Sequence, residues 1–311
     1  MEKNSEVGMG WLPDIPSVKD FYEGHPEVAS LLAKTSLRRR LSVAGNTQHA
    51  LEGSTGAAGR GTKAAPALES KADLSAQFSP IEDQGQLGSC TANAAVALVE
   101  YFERRATGNH IDASRLFVYK TTRNMLGWTG DTGAYIRSAM GALVLFGAPP
   151  ERYWPYDGHP AAQNLRFDQE PSAFCYAFAQ NFKAIRYLRL DTASTAPAQL
   201  LKNIKSYLAA GFPSMFGFPV YQEFMNPNNQ GQVAFPASTS TYYGGHAIVV
   251  VGYDDKLAIG SDKGALLLRN SWGTHWGLNG YAWMSYRYVT EGLAVDWWTL
   301  IKENWVDTGK F

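Results

Sequence analysis

Hydrophobic and polar positions change period once along this chain, near residue 212. Before that point, apolar residues recur at helical spacing. The spacing predicts helices over 91–106 and over the segments ASRLFVYKTTRNML, AYIRSAMGALVLFG and QLLKNIKSYLAAG. Gly147, Pro149 and Pro150 stop the third, and Gly211 closes the fourth. Beyond it lie short apolar and β-branched runs: SMFGFPV, HAIVVVGYD, ALLLRNSW, GYAWMSY and AVDWWTLI. Runs of this length, punctuated by Gly and Asp, predict an antiparallel sheet or barrel. Helices first and strands later give an α+β chain with two lobes, and the cleft between them is a natural place for a site.

The N-terminal quarter is different. Residues 1–40 hold a turn-rich aromatic stretch, GWLPDIPSVKDFY, and then a predicted helix that starts at Pro26 and carries Leu31, Leu32 and Leu37 on one side. Arg38, Arg39 and Arg40 read as its solvated end. Residues 41–72 are rich in Gly, Ala, Ser and Thr and have no aromatic residue, so they cannot bury enough apolar surface to offset chain entropy. They read as a flexible linker between an N-terminal arm and a large domain over 73–311.

Composition narrows the function. Lys+Arg and Asp+Glu are both 28, and this zero balance argues against a nucleic-acid binder. No apolar stretch reaches the roughly 18–20 residues that span a bilayer. The stretch MEKNSEVGMGWLPDIPS has no apolar run of a signal peptide, so cytoplasmic residence is the default and non-classical export stays open. The two cysteines, Cys90 and Cys175, allow at most one disulfide, and none if Cys90 is reactive. The expectation is a monomer that uses no metal or organic cofactor.

Cys90 stands where the loop QGQLGSC meets the helix TANAAVALVEYFERR. A helix N-terminus stabilises a thiolate, and nucleophilic catalysis then needs an imidazole beside it. Of six histidines, His246 is set apart, because two glycines deliver it to the start of a buried strand in YYGGHAIVVVGYD. Asn270, at the end of the next strand, can accept from the ring N–H and fix its orientation, and Trp272 can cover that bond. Gln84, six residues before Cys90, can supply a side-chain donor to an oxyanion hole shared with the Cys90 backbone N–H.

Taken together, SPIEDQGQLGSC, GGHAIVVVGYDD and LLLRNSWGTHWGLNGYAWMSY strongly resemble, in order, the three active-site segments of papain-like cysteine peptidases. The resemblance covers about residues 73–300 and implies a two-lobe papain-like fold, helical on the left and barrel-like on the right, with a peptide cleft between. It assigns Cys90 as nucleophile, His246 as acid/base, Asn270 as orienter and Gln84 as oxyanion donor. It implies a cysteine endopeptidase acting on peptide or protein substrates through a thioester. Rival readings are a ligase or transpeptidase using the same thioester, and a non-catalytic peptide-binding module.

Two departures matter. The family's usual cysteine three residues before the nucleophile is Leu87, and the tryptophan after it is Thr91. Asp131, in DTGAYIRSAM, stands where that cysteine's disulfide partner would be, so both ends of one bridge are absent together. By the same resemblance Gly133 and Ala134 form an extended edge for substrate backbone. Tyr135, Ile136, Ala247 and Phe216 become candidates for an S2 pocket that favours an apolar or aromatic P2 side chain. The usual long helical propeptide is missing. The short GWLPDIPSVKDF leader instead resembles that of a bacterial branch of the family, and residues 1–40 are expected to act as an inhibitory, zymogen-like arm over the lobe surface or the cleft.

Overall fold

The computed structural model of the chain describes residues 7–37, 68–157, 166–182, 186–228 and 230–311. The expectations for Arg38–Arg40 and for most of the linker, 41–67, lie outside the described residues. The helices that matter to the site are α1 (Pro26–Ala33), α2 (Cys90–Thr107), α3 (Arg115–Leu126) and α4 (Ile136–Leu145). The longer helices after them are α5 (Ala173–Ala179) and α6 (Pro197–Ala209). α2 is buried over most of its length. Its alanines favour helix and leave room for close packing against a sheet, and Gly108, at φ +85°, ends it in a left-handed cap.

Among the described residues the sheet has eight strands: β1 (Lys71–Asp73), β2 (Arg186–Arg189), β3 (Ser214–Tyr221), β4 (Gln232–Val233), β5 (Tyr242–Ile259), β6 (Asp262–Arg269), β7 (Tyr281–Ser285) and β8 (Val295–Ile301). Their order is β2-β8-β3-β5-β6-β7-β4, with β1 also on β5. Every pairing is antiparallel except β4 with β7. The α+β class expected from the sequence is therefore present. β5 is the longest strand, bonded to β3 on one side and β6 on the other, and α2 packs on it. This contact brings the start of α2 against the start of the strand that carries His246.

Some boundaries differ from the expectation. β5 begins at Tyr242 rather than at His246 and runs on to Ile259. Lys71 and Ala72, read as the end of the linker, pair with Asp254 and Tyr253. β2 had no strand pattern of its own, since RYLR alternates weakly, and it is held by β8. In each case the partner strand supplies the order that local sequence lacks. The N-terminal arm packs on the body. α1 buries Val28, Leu31 and Leu32, Leu37 is buried just beyond it, and Phe21 O accepts from Arg189 N at 2.8 Å. Among the described residues no helix is long and apolar enough to cross a membrane.

Both cysteines are free. The place of the missing bridge is taken by hydrogen bonds. Asp131 accepts from Gly88 N at 3.0 and 3.1 Å and from the Tyr119 hydroxyl at 2.5 Å, and Tyr119 Oη in turn accepts from Gly133 N at 3.1 Å. One carboxylate and one phenol thus tie the loop before Cys90 to the edge at Gly133. Asp131→Ala should lower stability by about 1–2 kcal/mol, because two donors lose their acceptor. A urea midpoint that does not move would refute this role.

Candidate active site

The cleft is assembled from four pieces of backbone. Ser89 caps α2, and Cys90 is its first residue, so the sulfur sits among unpaired N–H groups. The backbone amides of Ala247, Gly10, Thr91 and Cys90 itself face the thiol. Cys90 has no exposed surface. Burial pushes its thiol up to about 11, and those four amides pull the other way. A helix N-terminus alone would lower the value; here exclusion of water wins.

His246 lies on β5 opposite Phe218 of β3, one residue before the Ala247 amide that faces the sulfur. Its Nε2 is 2.8 Å from Asn270 Oδ1, and its buried Nδ1 has no hydrogen-bond partner among the described residues. Asn270 follows directly on β6, and its own N–H is held by Gly280 O at 2.9 Å. Trp272 is buried and stacks on the imidazole with centroids 4.6 Å apart and planes at 29°. It seals the His246–Asn270 bond from solvent. Burial lowers the ring to about 4, with the Asn270 bond acting in the opposite sense. At neutral pH the covered cleft therefore holds a neutral thiol and a neutral ring.

Gln84 is fully buried. Ser271 holds it twice, donating its hydroxyl to Oε1 at 2.6 Å and accepting the Gln84 backbone N–H at 2.8 Å. This fixes the amide so that Nε2 donates to Leu87 O at 2.9 Å and to Gly8 O at 3.0 Å. The second acceptor comes from the N-terminal arm. Gly8 N donates to Gly85 O, Gly10 N and Trp11 N both donate to Gly245 O, and Leu12 N donates to Ala134 O. Ala134 N returns a bond to Gly10 O at 2.7 Å, and Trp11 bridges Ala134 in parallel. Residues 8–12 thus run across the cleft as an added strand. A Cβ on Gly10 would lie 1.8 Å from Gly88 O, and one on Gly8 would lie 2.0 Å from Leu87 O. Only glycine lets this backbone lie so close to the loop before Cys90.

The arm drives one large side chain inward. Trp11 is 7% exposed and fills a pocket beside the Ala134 edge. A Cβ on Gly217 would fall 1.9 Å from the indole, so the pocket is deep there because β3 has no side chain. The indole Nε1 donates to Asp296 Oδ2 at 3.0 Å. Of the sequence-derived pocket residues, Gly133 and Ala134 contact the arm backbone, and Ala247 pairs with Gly217 across β3 and β5. Tyr135 caps α4 and meets Trp128, while Ile136 is buried in the first turn. Phe216 stacks on Trp297 at 4.1 Å, on the face of β3 opposite Gly217, since side chains alternate along a strand. Ser271, Gly217 and Asp296 were missed by sequence reasoning. Ser271 lay inside the quoted NSWG run, and the lone carboxylate of AVDWWTLI was a signal left unread.

The chain matches the model of the papain family cysteine proteases over residues 68–295. It is 37% identical over 224 residues to an uncharacterized peptidase C1-like protein of Acanthamoeba polyphaga mimivirus, covering 70% of this chain and 68% of that one. Mouse cathepsin J is 26% identical over 202 residues, and the chain spans 55% of its length. Among solved structures, xylellain, a cysteine protease from Xylella fastidiosa, superposes with a TM-score of 0.71 at 32% identity, covering 96% of this chain and 98% of that one. Digestive procathepsin L 3 of Tenebrio molitor shares the fold at 19% identity, with a TM-score of 0.57 and 76% and 71% of the two chains covered. With that match spanning most of its length, and a thiol, an imidazole and an asparagine gathered in one cleft, the chain belongs to the papain family of cysteine proteases.

Proposed function

We propose that Cys90, His246, Asn270 and Gln84 are the working residues of a cysteine endopeptidase, and that residues 1–40 are its inhibitory arm. The observation that carries the catalytic reading is the pairing of His246: Nε2 is tied 2.8 Å from Asn270, the buried Nδ1 has no hydrogen-bond partner among the described residues, and the amide of the next residue, Ala247, faces the Cys90 thiol. In this reading the Cys90 proton passes to Nδ1. The thiolate attacks the scissile carbonyl carbon, and the oxyanion takes hydrogen bonds from Gln84 Nε2 and Cys90 N–H. His246 then gives its proton to the departing amine, leaving a thioester. A water deprotonated by His246 releases the acid and restores the thiol. Asn270 keeps the ring in plane, Ser271 keeps the Gln84 amide facing the oxyanion, and Trp272 keeps water off the ring.

The arm blocks each of these functions. Gly8 O occupies the Gln84 donor, the Gly10 backbone lies over the sulfur, and Trp11 fills the pocket where a substrate's P2 side chain would enter. The desolvation it brings also keeps the thiol–imidazole pair uncharged. The ion pair forms when the arm leaves and water returns to one side of the cleft. A charged latch holds the arm's far end. Arg137 pairs with Asp14 at 2.7 Å and with Asp20 at 2.8 Å, and Arg189 donates to Asp14 O at 3.0 Å. The walls around Trp11 favour a large P2 side chain with an apolar or aromatic body.

Two outcomes test this reading. Iodoacetamide should label Cys90 slowly at pH 7 in the unmodified chain, and faster as pH rises toward 11, because a thiol held near 11 is protonated below it. Cys90→Ala should remove both the label and all peptide cleavage. Rapid pH-independent labelling of the closed chain would count against the neutral pair. The full-length Gly10→Val variant cannot seat its arm, because the new side chain meets Gly88 backbone. It should cleave peptides at least about tenfold faster than the unmodified chain, since a clash of that kind costs more than 1.4 kcal/mol of docking. Equal rates with an intact fold would show that the arm does not gate the cleft.

A further inference from the structure

One buried amide sits near the start of α2. Asn93 interrupts an alanine-rich segment, CTANAAVA, and is 3% exposed. Asparagine is a poor helix former, and a buried amide needs partners at both ends. Its partners here lie beside the nucleophile. Nδ2 donates to Ser89 O and to Ser89 Oγ, each at 3.0 Å. The Asn93 backbone N–H also donates to Ser89 O, at 3.0 Å. Oδ1 accepts from Arg115 at 3.4 Å, and a guanidinium only donates, so this contact sets which way the amide faces. Arg115 is fixed in turn by Glu82 at 2.7 Å and Glu151 at 3.3 Å.

Ser89 C=O and Cys90 N–H belong to one peptide unit. That unit is planar and trans, so the two groups point in opposite directions. The carbonyl runs into α2 toward Asn93, and the N–H runs out of the helix start. Two donors on the one carbonyl fix the plane of the unit. They also draw charge from its nitrogen, which makes the N–H a stronger donor. Ser89 does not hold this plane itself, because its side chain makes no cap bond to α2. The Ser89 hydroxyl goes elsewhere. Tyr156 Oη donates to Gln84 O at 2.9 Å, so it accepts from Ser89 Oγ, which lies 2.5 Å away. A directed chain therefore runs from Asn93 Nδ2 through Ser89 Oγ and Tyr156 Oη to the Gln84 carbonyl. It joins the peptide unit of the Cys90 N–H to the backbone of Gln84, the two suppliers of the oxyanion hole in the reading above.

We infer that Asn93 is a positioning residue for the oxyanion hole: its side-chain amide holds and polarises the Ser89–Cys90 peptide so that the Cys90 N–H can stabilise the oxyanion. This rests on the peptidase reading above and adds to it a residue that acts only through another. Helix geometry supplies the substitution that separates this role from simple space-filling. A serine or threonine side chain can bond the carbonyl four residues back in its own helix, and Ser89 is four residues before Asn93. Serine at this position restores a donor to Ser89 O, whereas alanine does not.

The test uses the full-length Gly10→Val chain as background, with Asn93→Ala, Asn93→Ser, Asn93→Val and Asn93→Thr added singly. Alanine and serine, and likewise valine and threonine, are matched in size and differ by one hydroxyl. Loss of packed volume moves both members of a pair alike. With alanine or valine, kcat/KM for a peptide should fall by about ten- to thirtyfold, less than the roughly hundredfold or more that loss of a whole oxyanion donor costs. Serine and threonine should recover about fivefold of this, the effect of one restored hydrogen bond. Reaction with dipyridyl disulfide, in which the thiolate displaces a sulfur and no oxyanion forms, should stay within about twofold in every variant from about pH 5 to 9. If one pair does not fold, the other decides. Equal kcat/KM within each pair, or a loss of disulfide reactivity that matches the loss of cleavage, would overturn the assignment and leave the thiol chemistry standing. Should the Gly10→Val chain itself neither label at Cys90 nor cut peptide, the peptidase reading falls and takes this one with it.

Discussion

Exclusion of water from one thiol and one imidazole governs the rest of this structure. Two forces act on Cys90 in opposite directions. The α2 N-terminus and the surrounding amides favour the thiolate, whereas complete burial favours the thiol. In the proposed reading the arm decides between them, because the Gly10 amide lies against the buried sulfur. The same holds for His246, whose one hydrogen-bond partner among the described residues is the neutral Asn270. A carboxylate in that place would hold the ring charged even when covered; an amide lets its charge follow the state of the cleft. The family's chemistry and its proposed restraint are thus one electrostatic balance.

At the thiol and at Gln84 the arm acts through backbone, and its one large side chain there, Trp11, goes into the pocket beside them. The arm extends the Ala134 edge as a strand, satisfies its own N–H groups on Gly85, Gly245 and Ala134, and places a carbonyl on Gln84. Glycines at 8 and 10 are what permit the close approach. Beyond Trp11 the arm changes strategy. Asp14 and Asp20 meet Arg137 and Arg189, and α1 buries leucines on the body. Apolar and charged anchors at separate points mean that no single contact has to hold the whole segment.

Loss of a disulfide has a matching consequence on the catalytic side. Asp131 and Tyr119 link the loop before Cys90 to the backbone at Gly133 through hydrogen bonds. Such a link needs no oxidant, which agrees with two free cysteines. It is softer than a covalent bridge, and Ser271 compensates near the reaction centre by gripping Gln84 from side chain and backbone.

The sequence by itself determined the class of fold, the helices and strands with strong apolar period, and which cysteine, histidine, asparagine and glutamine to propose for the site. These were legible because each sits at a local transition, such as a loop entering a helix or a glycine pair entering a strand, and because their order along the chain is distinctive. Only the tertiary structure decided what faces what. The weakly patterned β1 and β2 exist because partner strands hold them. Phe216 looked like a pocket residue, yet a strand's alternation sends it to the core and leaves Gly217 at the indole. The placement of Asp296 depends on a one-residue bulge between β3 and β8, which no local propensity encodes. The ionisation of Cys90 and His246 followed the same rule, since a pattern of residues fixes which groups meet, and only three-dimensional burial fixes how much water remains between them.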